Sequence, residues 1–194
     1  PEYRTRYRTR RELRGRDTAA VLPQLRAWVQ QLDPKAERFE HHLLEALWVS
    51  WGLNRVDISL LRRLLQAKDY RVRAAAVRVL RYVGHQVRDQ EKWLLEAAGD
   101  PNGRVRIEAL AAASWLQPQL AKAVLRRAAS QPIDESIAPV YESLEQRLFP
   151  AELPDEESPP AAPGLVIYER EGSCITCHQA DGQGVAASGF PPLA

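Results

Sequence analysis

Among 194 residues there is no methionine, and there are only two cysteines. Without methionine the chain offers no thioether to a metal, and thiol chemistry is confined to one short stretch. No apolar run approaches the roughly 18 residues that a membrane-spanning helix needs, so no transmembrane segment is expected in this chain. No secretory leader is visible, and position 1 is Pro rather than an initiator, so the natural N-terminus is expected further upstream. No alternating apolar–polar pattern of strand type is present. No nucleophile–base pair, phosphate-cradling loop or paired-carboxylate constellation stands out, so no catalytic residue is assigned. Lysine is scarce as well, 4 against 23 arginines.

What is there is hydrophobic enough, at 45%, for a real core, in a length that fits one to two domains. The net charge of +2 hides an asymmetry. Residues 1–148 carry 26 Lys and Arg against 18 Asp and Glu, a balance of +8, whereas residues 149–194 carry 1 against 7, a balance of −6. The two parts attract weakly, with screening by salt.

Residues 1–16 form a basic arm in which Tyr3 and Tyr7 alternate with arginines. Arg for phosphate and Tyr for stacking would suit nucleic acid, but nothing behind the arm resembles a nucleic-acid module. No nucleic-acid partner is expected, and a capping or domain-joining segment is the preferred reading.

Residues 17–148 read as helix after helix. Asp17 and Thr18 suit the start of a helix carrying Val21, Leu22, Leu25, Trp28, Val29 and Leu32, which Asp33-Pro34 ends. A second helix is predicted over 37–53, with Leu43, Leu44, Leu47, Trp48 and Trp51 inward, and a third over 57–67. Internal repetition follows. Arg71-Val72-Arg73-Ala74-Ala75-Ala76-Val77 aligns with Arg104-Val105-Arg106-Ile107-Glu108-Ala109-Leu110 at a shift of 33, and Glu45-Ala46-Leu47 with Glu108-Ala109-Leu110 at a shift of 63. Second helices are predicted over 60–67, 93–98 and 120–129, and a last helix over 136–148. Asp69 and Asp100 are the expected N-caps of the later copies. Helix pairs at this period predict an all-α solenoid whose neighbours bury each other's apolar faces.

The pattern Asp69, Val72, Arg73, Ala76, with the looser Asp100, Val105, Arg106, Ala109, resembles the HEAT repeat. The first copy departs from it, with His41-His42 in place of the Val-Arg pair, as a capping repeat would. The tryptophans at 28, 48, 51, 93 and 115 are expected as core anchors rather than as a binding platform. Arg62, Arg63, Arg78, Arg81, Arg126 and Arg127 are expected on solvated helix faces, with a partner-binding concave surface as the alternative.

Residues 149–163 hold five prolines and four acids, a linker composition that builds no helical core. Proline-rich chain spans about 3.1 Å per residue, so these fifteen residues reach up to roughly 45 Å.

Both cysteines fall in Cys174-Ile175-Thr176-Cys177-His178. C-x-x-C-H is the attachment pattern of a c-type haem. Two thiols one helical turn apart can each add to one of two vinyl groups on a porphyrin edge, and the adjacent His then sits beneath the iron as proximal ligand. A redox disulfide, a zinc site one ligand short, and a strained structural disulfide use the same residues and remain alternatives. His41, His42 and His85 are the other histidines. Solvated or capping roles are expected for them, with distal ligation as an alternative.

Residues 164–194 resemble the class I cytochrome c fold. Leu165 and Tyr168 share one face of a first helix, C-I-T-C-H follows, then D-G-Q-G and Phe190-Pro191-Pro192-Leu193-Ala194. The resemblance implies one covalent haem c on Cys174 and Cys177 with iron on His178. It also implies that a carbonyl near Pro191 or Pro192 accepts the His178 imidazole N–H, and that Leu193, like Tyr168, lines the haem pocket. The family's usual distal Met and closing helix are missing. The chain therefore forms no complete Met/His cytochrome alone, and continuation past Ala194 is expected, with a sixth ligand from another group or a five-coordinate iron as the alternatives.

Helical repeats, a proline-rich linker and this haem segment, in that order, resemble the large haem-binding, dehydrogenase-like proteins of Planctomycetes and their relatives. There a β-propeller similar to sugar or alcohol dehydrogenases is often followed by HEAT repeats and a cytochrome c domain. The resemblance covers nearly the whole chain. It implies electron transfer within a larger oxidoreductase, a redox partner protein or attached dehydrogenase domain, and a periplasmic or otherwise extracytoplasmic bacterial location. The alternative is a protein-binding repeat scaffold with a sensor or passenger haem.

Overall fold

The computed structural model describes residues 2–150, and every regular element among them is helical. These residues fall within one unit of the chain, Pro1–Ala151. The helices are α1 (Tyr3–Arg14), α2 (Thr18–Gln30), α3 (Phe39–Gly52), α4 (Ile58–Leu65), α5 (Tyr70–Val83), α6 (Gln90–Ala98), α7 (Gly103–Ala113), α8 (Pro118–Ala128) and α9 (Ala138–Leu148). One 3-10 turn, Gly84–Gln86, follows α5.

Local chemistry marks the helix starts. Asp17 accepts from the Ala19 N–H at 3.0 Å, Asp57 from the Leu60 N–H at 3.0 Å, and Asp69 from the Arg71 N–H at 2.8 Å. Each satisfies one of the donors that a helix leaves orphaned in its first turn. The expected cap at Asp100 is corrected. The cap of α7 is Asn102, whose side-chain oxygen accepts from the Arg104 N–H at 3.0 Å. The spacing explains the difference: Asp100 stands five positions before Val105 where Asp69 stands three before Val72, so a shift of 33 superposes Asp69 on Asn102, not on Asp100. Asp100 lies two residues earlier and accepts the Asn102 N–H at 2.8 Å, which shapes the turn into the helix.

The helices lie in two layers. α1, α3, α5, α7 and α9 are successive neighbours in one, while α4, α6 and α8 pack behind it between them. The basic arm is thus helix α1, and it extends the first layer by packing on α3. Between the layers lie Leu47, Leu61, Leu64, Val77, Leu80, Leu94, Leu110 and Leu125, all buried. Each such side chain contributes about 1.5–3 kcal/mol relative to exposure, so repeat-to-repeat stacking is the main stabilising term.

The tryptophans divide. Trp93 is a core residue at 6% exposure, and Trp48 and Trp51 are half-buried against the core. Trp28 and Trp115 are exposed, at 39% and 59%. Helical spacing misplaces Trp115 because it lies beyond the last turn of α7, where that spacing no longer applies.

At the end of α3, Asn54 takes the left-handed conformation, φ 55°. The Asn54 N–H donates to the Trp51 carbonyl at 2.9 Å and the Arg55 N–H to the Ser50 carbonyl at 3.0 Å. This pair of bonds closes the helix as a Schellman motif, and Asn tolerates the positive φ. It holds the backbone on which Trp51 stands.

Candidate functional site

Tyr168, Cys174, Cys177, His178, Pro191, Pro192 and Leu193 lie outside the described residues. So does the linker expected over 149–163, apart from its first two positions. Among the described residues no group of three or more His, Cys, Asp or Glu could hold a metal ion. No helix there is long and apolar enough to cross a membrane. The three other histidines are dispersed in role. His41 lies 3.4 Å from Glu45, His42 lies against Trp28, and His85 is exposed beside Gln86. Burial lowers the pKa of His41, with Glu45 opposing it.

A polar ladder joins the repeats. The Glu40 carboxylate accepts the N–H groups of Lys68 and Asp69 at 2.8 and 2.9 Å. Arg73 then donates to both Asp100 oxygens, at 2.7 and 3.0 Å, and to the carbonyls of Ala67 and Lys68. Arg106, 3% exposed, donates to the carbonyls of Asp100, Pro101 and Pro132. The Val-Arg pair of each copy therefore performs one task. Val72 and Val105 enter the core, while the neighbouring Arg clamps the loop carbonyls of its own repeat and reaches the next. Bidentate and carbonyl bonds of this kind suit the planar guanidinium fork. The bond to Asp100 raises the Arg73 pKa, as the Glu108 carboxylate does for Arg78.

At the other end, Glu45 of α3 receives Arg6 at 3.0 Å and also Arg10, and the Arg10 guanidinium lies 4.7 Å from the Trp48 ring centroid. This pairing docks α1, which buries no residue fully. A cleft of about 1060 Å³ opens among α1, α2 and α3, walled by Leu13, Val21, Leu25, Trp28 and Leu32.

The third feature is an aromatic ridge. Trp51, Tyr82 and Trp115 stand at the carboxyl ends of α3, α5 and α7. The Trp51 and Tyr82 rings stack at 5.4 Å and 25°, and Tyr82 meets Trp115 edge-on at 5.3 Å and 87°. Arg81 lies over Trp115 at 4.5 Å and over Tyr82 at 5.4 Å. Tyr82 and Trp115 are both exposed. Of the arginines expected on solvated faces, Arg62 and Arg126 have no partner named among these contacts. Arg78 pairs with buried Glu108, Arg63 covers Phe39, and Arg81 joins the ridge. Sequence reasoning missed the ridge, although its signal was present. The three aromatics recur at intervals of 31 and 33 residues, close to the repeat period.

Stacked helix pairs, loop-clamping arginines and one continuous core define an α-solenoid of HEAT-like repeats. The family described as HEAT repeats matches the chain over residues 58–145, from the start of α4 through most of α9. Among curated proteins and solved structures nothing matches the chain.

Proposed function

We propose that this chain is an electron-transfer module: a HEAT-like scaffold carrying one covalent haem c on Cys174 and Cys177, with His178 as proximal iron ligand. The observation that carries this role is the C-I-T-C-H stretch, which contains both cysteines of the chain, with the histidine directly following the second. The donor set fits the group: two thiols for the two vinyls, and one imidazole for the iron. Bound haem supplies a reversible one-electron iron couple.

Around it, the cytochrome c likeness assigns a carbonyl at Pro191 or Pro192 to accept the His178 N–H, which holds the imidazole in one tautomer. The same likeness assigns Tyr168 and Leu193 to the pocket wall. The proline-rich, acidic stretch over 149–163 tethers the haem segment to the scaffold. A tether raises effective concentration, so modest affinity for a redox partner protein or an attached dehydrogenase domain suffices. Covalent haem attachment of this kind goes with a bacterial location outside the cytoplasm, periplasmic or otherwise extracytoplasmic.

The test is the intact mass and absorbance of the full chain, purified after maturation in a host that assembles c-type cytochromes. The expected result is one covalent haem per chain with a Soret band. A chain of unmodified mass with two free thiols overturns this role.

The exposed aromatic ridge favours a second reading, a protein-binding scaffold in which the haem is a sensor or passenger. Its mark would be haem iron that binds carbon monoxide tightly and exchanges no electrons with a cytochrome partner.

A further inference from the structure

Three surface features stand apart from the haem segment: the cleft among α1, α2 and α3, the inter-repeat ladder, and the aromatic ridge. Several of the cleft's charged groups are already engaged, Arg6 and Arg10 with Glu45 and Arg16 with Glu12 beside it, and its apolar wall does not specify an occupant. The ladder is spent on stacking the repeats. The ridge is only partly spent on the fold: Trp51 packs against the core, while Tyr82 and Trp115 stay exposed.

Several observations bear on what would cover it. Trp115 and Tyr82 expose 59% and 42% of their surface although both are large and apolar. Arg81 lies on the ridge itself, and two further guanidinium groups lie against residues next in sequence to its aromatics. Arg14 lies against Gly52, the neighbour of Trp51, with its Nε 3.5 Å from where a Cβ would stand. Arg81 lies over Tyr82 and Trp115, and Arg147 donates to the carbonyl of Ser114, the neighbour of Trp115. None of these three is in an ion pair among the described residues. The Nε of Arg81 is buried and has no hydrogen-bond partner there. Three unneutralised cations beside exposed rings call for an anionic ligand with an apolar face.

We propose that the Trp51–Tyr82–Trp115 ridge docks an acidic, proline-rich segment of a partner protein in the extended polyproline II conformation. The ring geometry favours such a peptide over single-stranded nucleic acid. Bases bind by stacking on open aromatic faces. Here Trp51 and Tyr82 stack on each other, Tyr82 meets Trp115 edge-on, and Arg81 covers a face of Trp115. Trp51 and Tyr82 thus each turn one face to the other and Trp115 has one face under Arg81, which leaves fewer open faces than a row of bases would need. Successive ring centroids lie 5.4 and 5.3 Å apart, on the scale of the roughly 9 Å that one three-residue turn of polyproline II advances. Such a segment is already ordered before binding, so it loses little entropy, and carboxylates at every third position would meet the flanking arginines. Residues 1–148 as a whole carry a balance of +8, which favours an acidic partner at long range. The docking depends on the repeats alone. It is expected in haem-loaded and haem-free chain alike, which separates its failure from failure of the haem assignment.

The experiment is fluorescence anisotropy of a labelled peptide of repeating Pro-Pro-Glu units, titrated with the full chain. Controls are a neutral proline-rich peptide, a Gly-Ser-Glu peptide of equal charge, and an oligothymidylate. The acidic proline peptide is expected to bind at least about fivefold more tightly than either peptide control. Trp115→Ala is expected to weaken it about tenfold, as loss of a central aromatic anchor does. Arg81→Gln is expected to weaken it severalfold and to flatten its salt dependence. Trp115 is exposed, and Arg81→Gln keeps the aliphatic stem, so each variant tests the surface with the helices intact; if Trp115→Ala loses helicity, Arg81→Gln decides. No binding of the acidic peptide, equal binding of its controls, binding unmoved by these substitutions, or preference for the oligothymidylate overturns the proposal.

Discussion

The double substitution Cys174→Ser, Cys177→Ser is expected to remove all covalently held haem while the helical repeats melt at an essentially unchanged temperature. A thioether needs a thiol, and the chain has no third cysteine to substitute for either. Serine cannot add to the vinyl groups, so the loss should be complete rather than graded. The repeats are expected to be indifferent because the two substitutions change no residue of the described core, which runs from Leu43 to Leu144. Substitutions away from a core usually stay within about 0.5 kcal/mol, or roughly 2 °C for a domain of this size. Haem that stays covalently attached in the double variant would contradict the assignment. A lowered melting temperature would contradict the independence of the scaffold.

Asp100→Ala is expected to destabilise the repeats by about 2–3 kcal/mol, a drop of roughly 4–12 °C in Tm. Asp100 accepts two bonds from Arg73 of the preceding repeat and one from the Asn102 N–H in its own turn. Both partners of the ion pair are largely withdrawn from water, with side-chain exposures of 17% and 10%. Removing the acid therefore strands a guanidinium between α5 and α7. Asn102→Ala is the control, because it removes only the cap of α7 and should cost about 1 kcal/mol. Thermal melts of the two variants followed by circular dichroism decide the matter. Equal losses would mean that Asp100 acts within its own turn and not between repeats.

Much of the scaffold was legible because its signals are local. Asp17, Asp57 and Asp69 sit where caps belong, and the leucine spacing of α3 and α4 marks their buried faces. The Val-Arg pair was legible as a repeat signature. Its purpose was not, since Asp100 and Pro132 become neighbours of Arg73 and Arg106 only when the repeats stack. Asp100 was misread as a cap because the later copy has two more residues between its Asp and its Val than the earlier one, while the copies otherwise align.

The basic arm hid a helix for a related reason. α1 buries no residue fully, and what docks it is Glu45 and the Trp48 ring on a helix thirty-five residues away from Arg10. Trp115 and Tyr82 were assigned to the core on periodicity or passed over, although only tertiary neighbours determine whether a ring at a helix end is covered. The haem assignment is of another kind. It is a proposal that rests on the C-x-x-C-H spacing of Cys174, Cys177 and His178.

The most direct test of the whole account is a potentiometric titration of the purified full chain, followed by haem absorbance. A single reversible one-electron transition, with the haem still attached after denaturation and extraction, is the result expected of a covalent electron carrier. An absorbance that does not respond to potential, or a two-electron couple between Cys174 and Cys177 with no haem present, would contradict it.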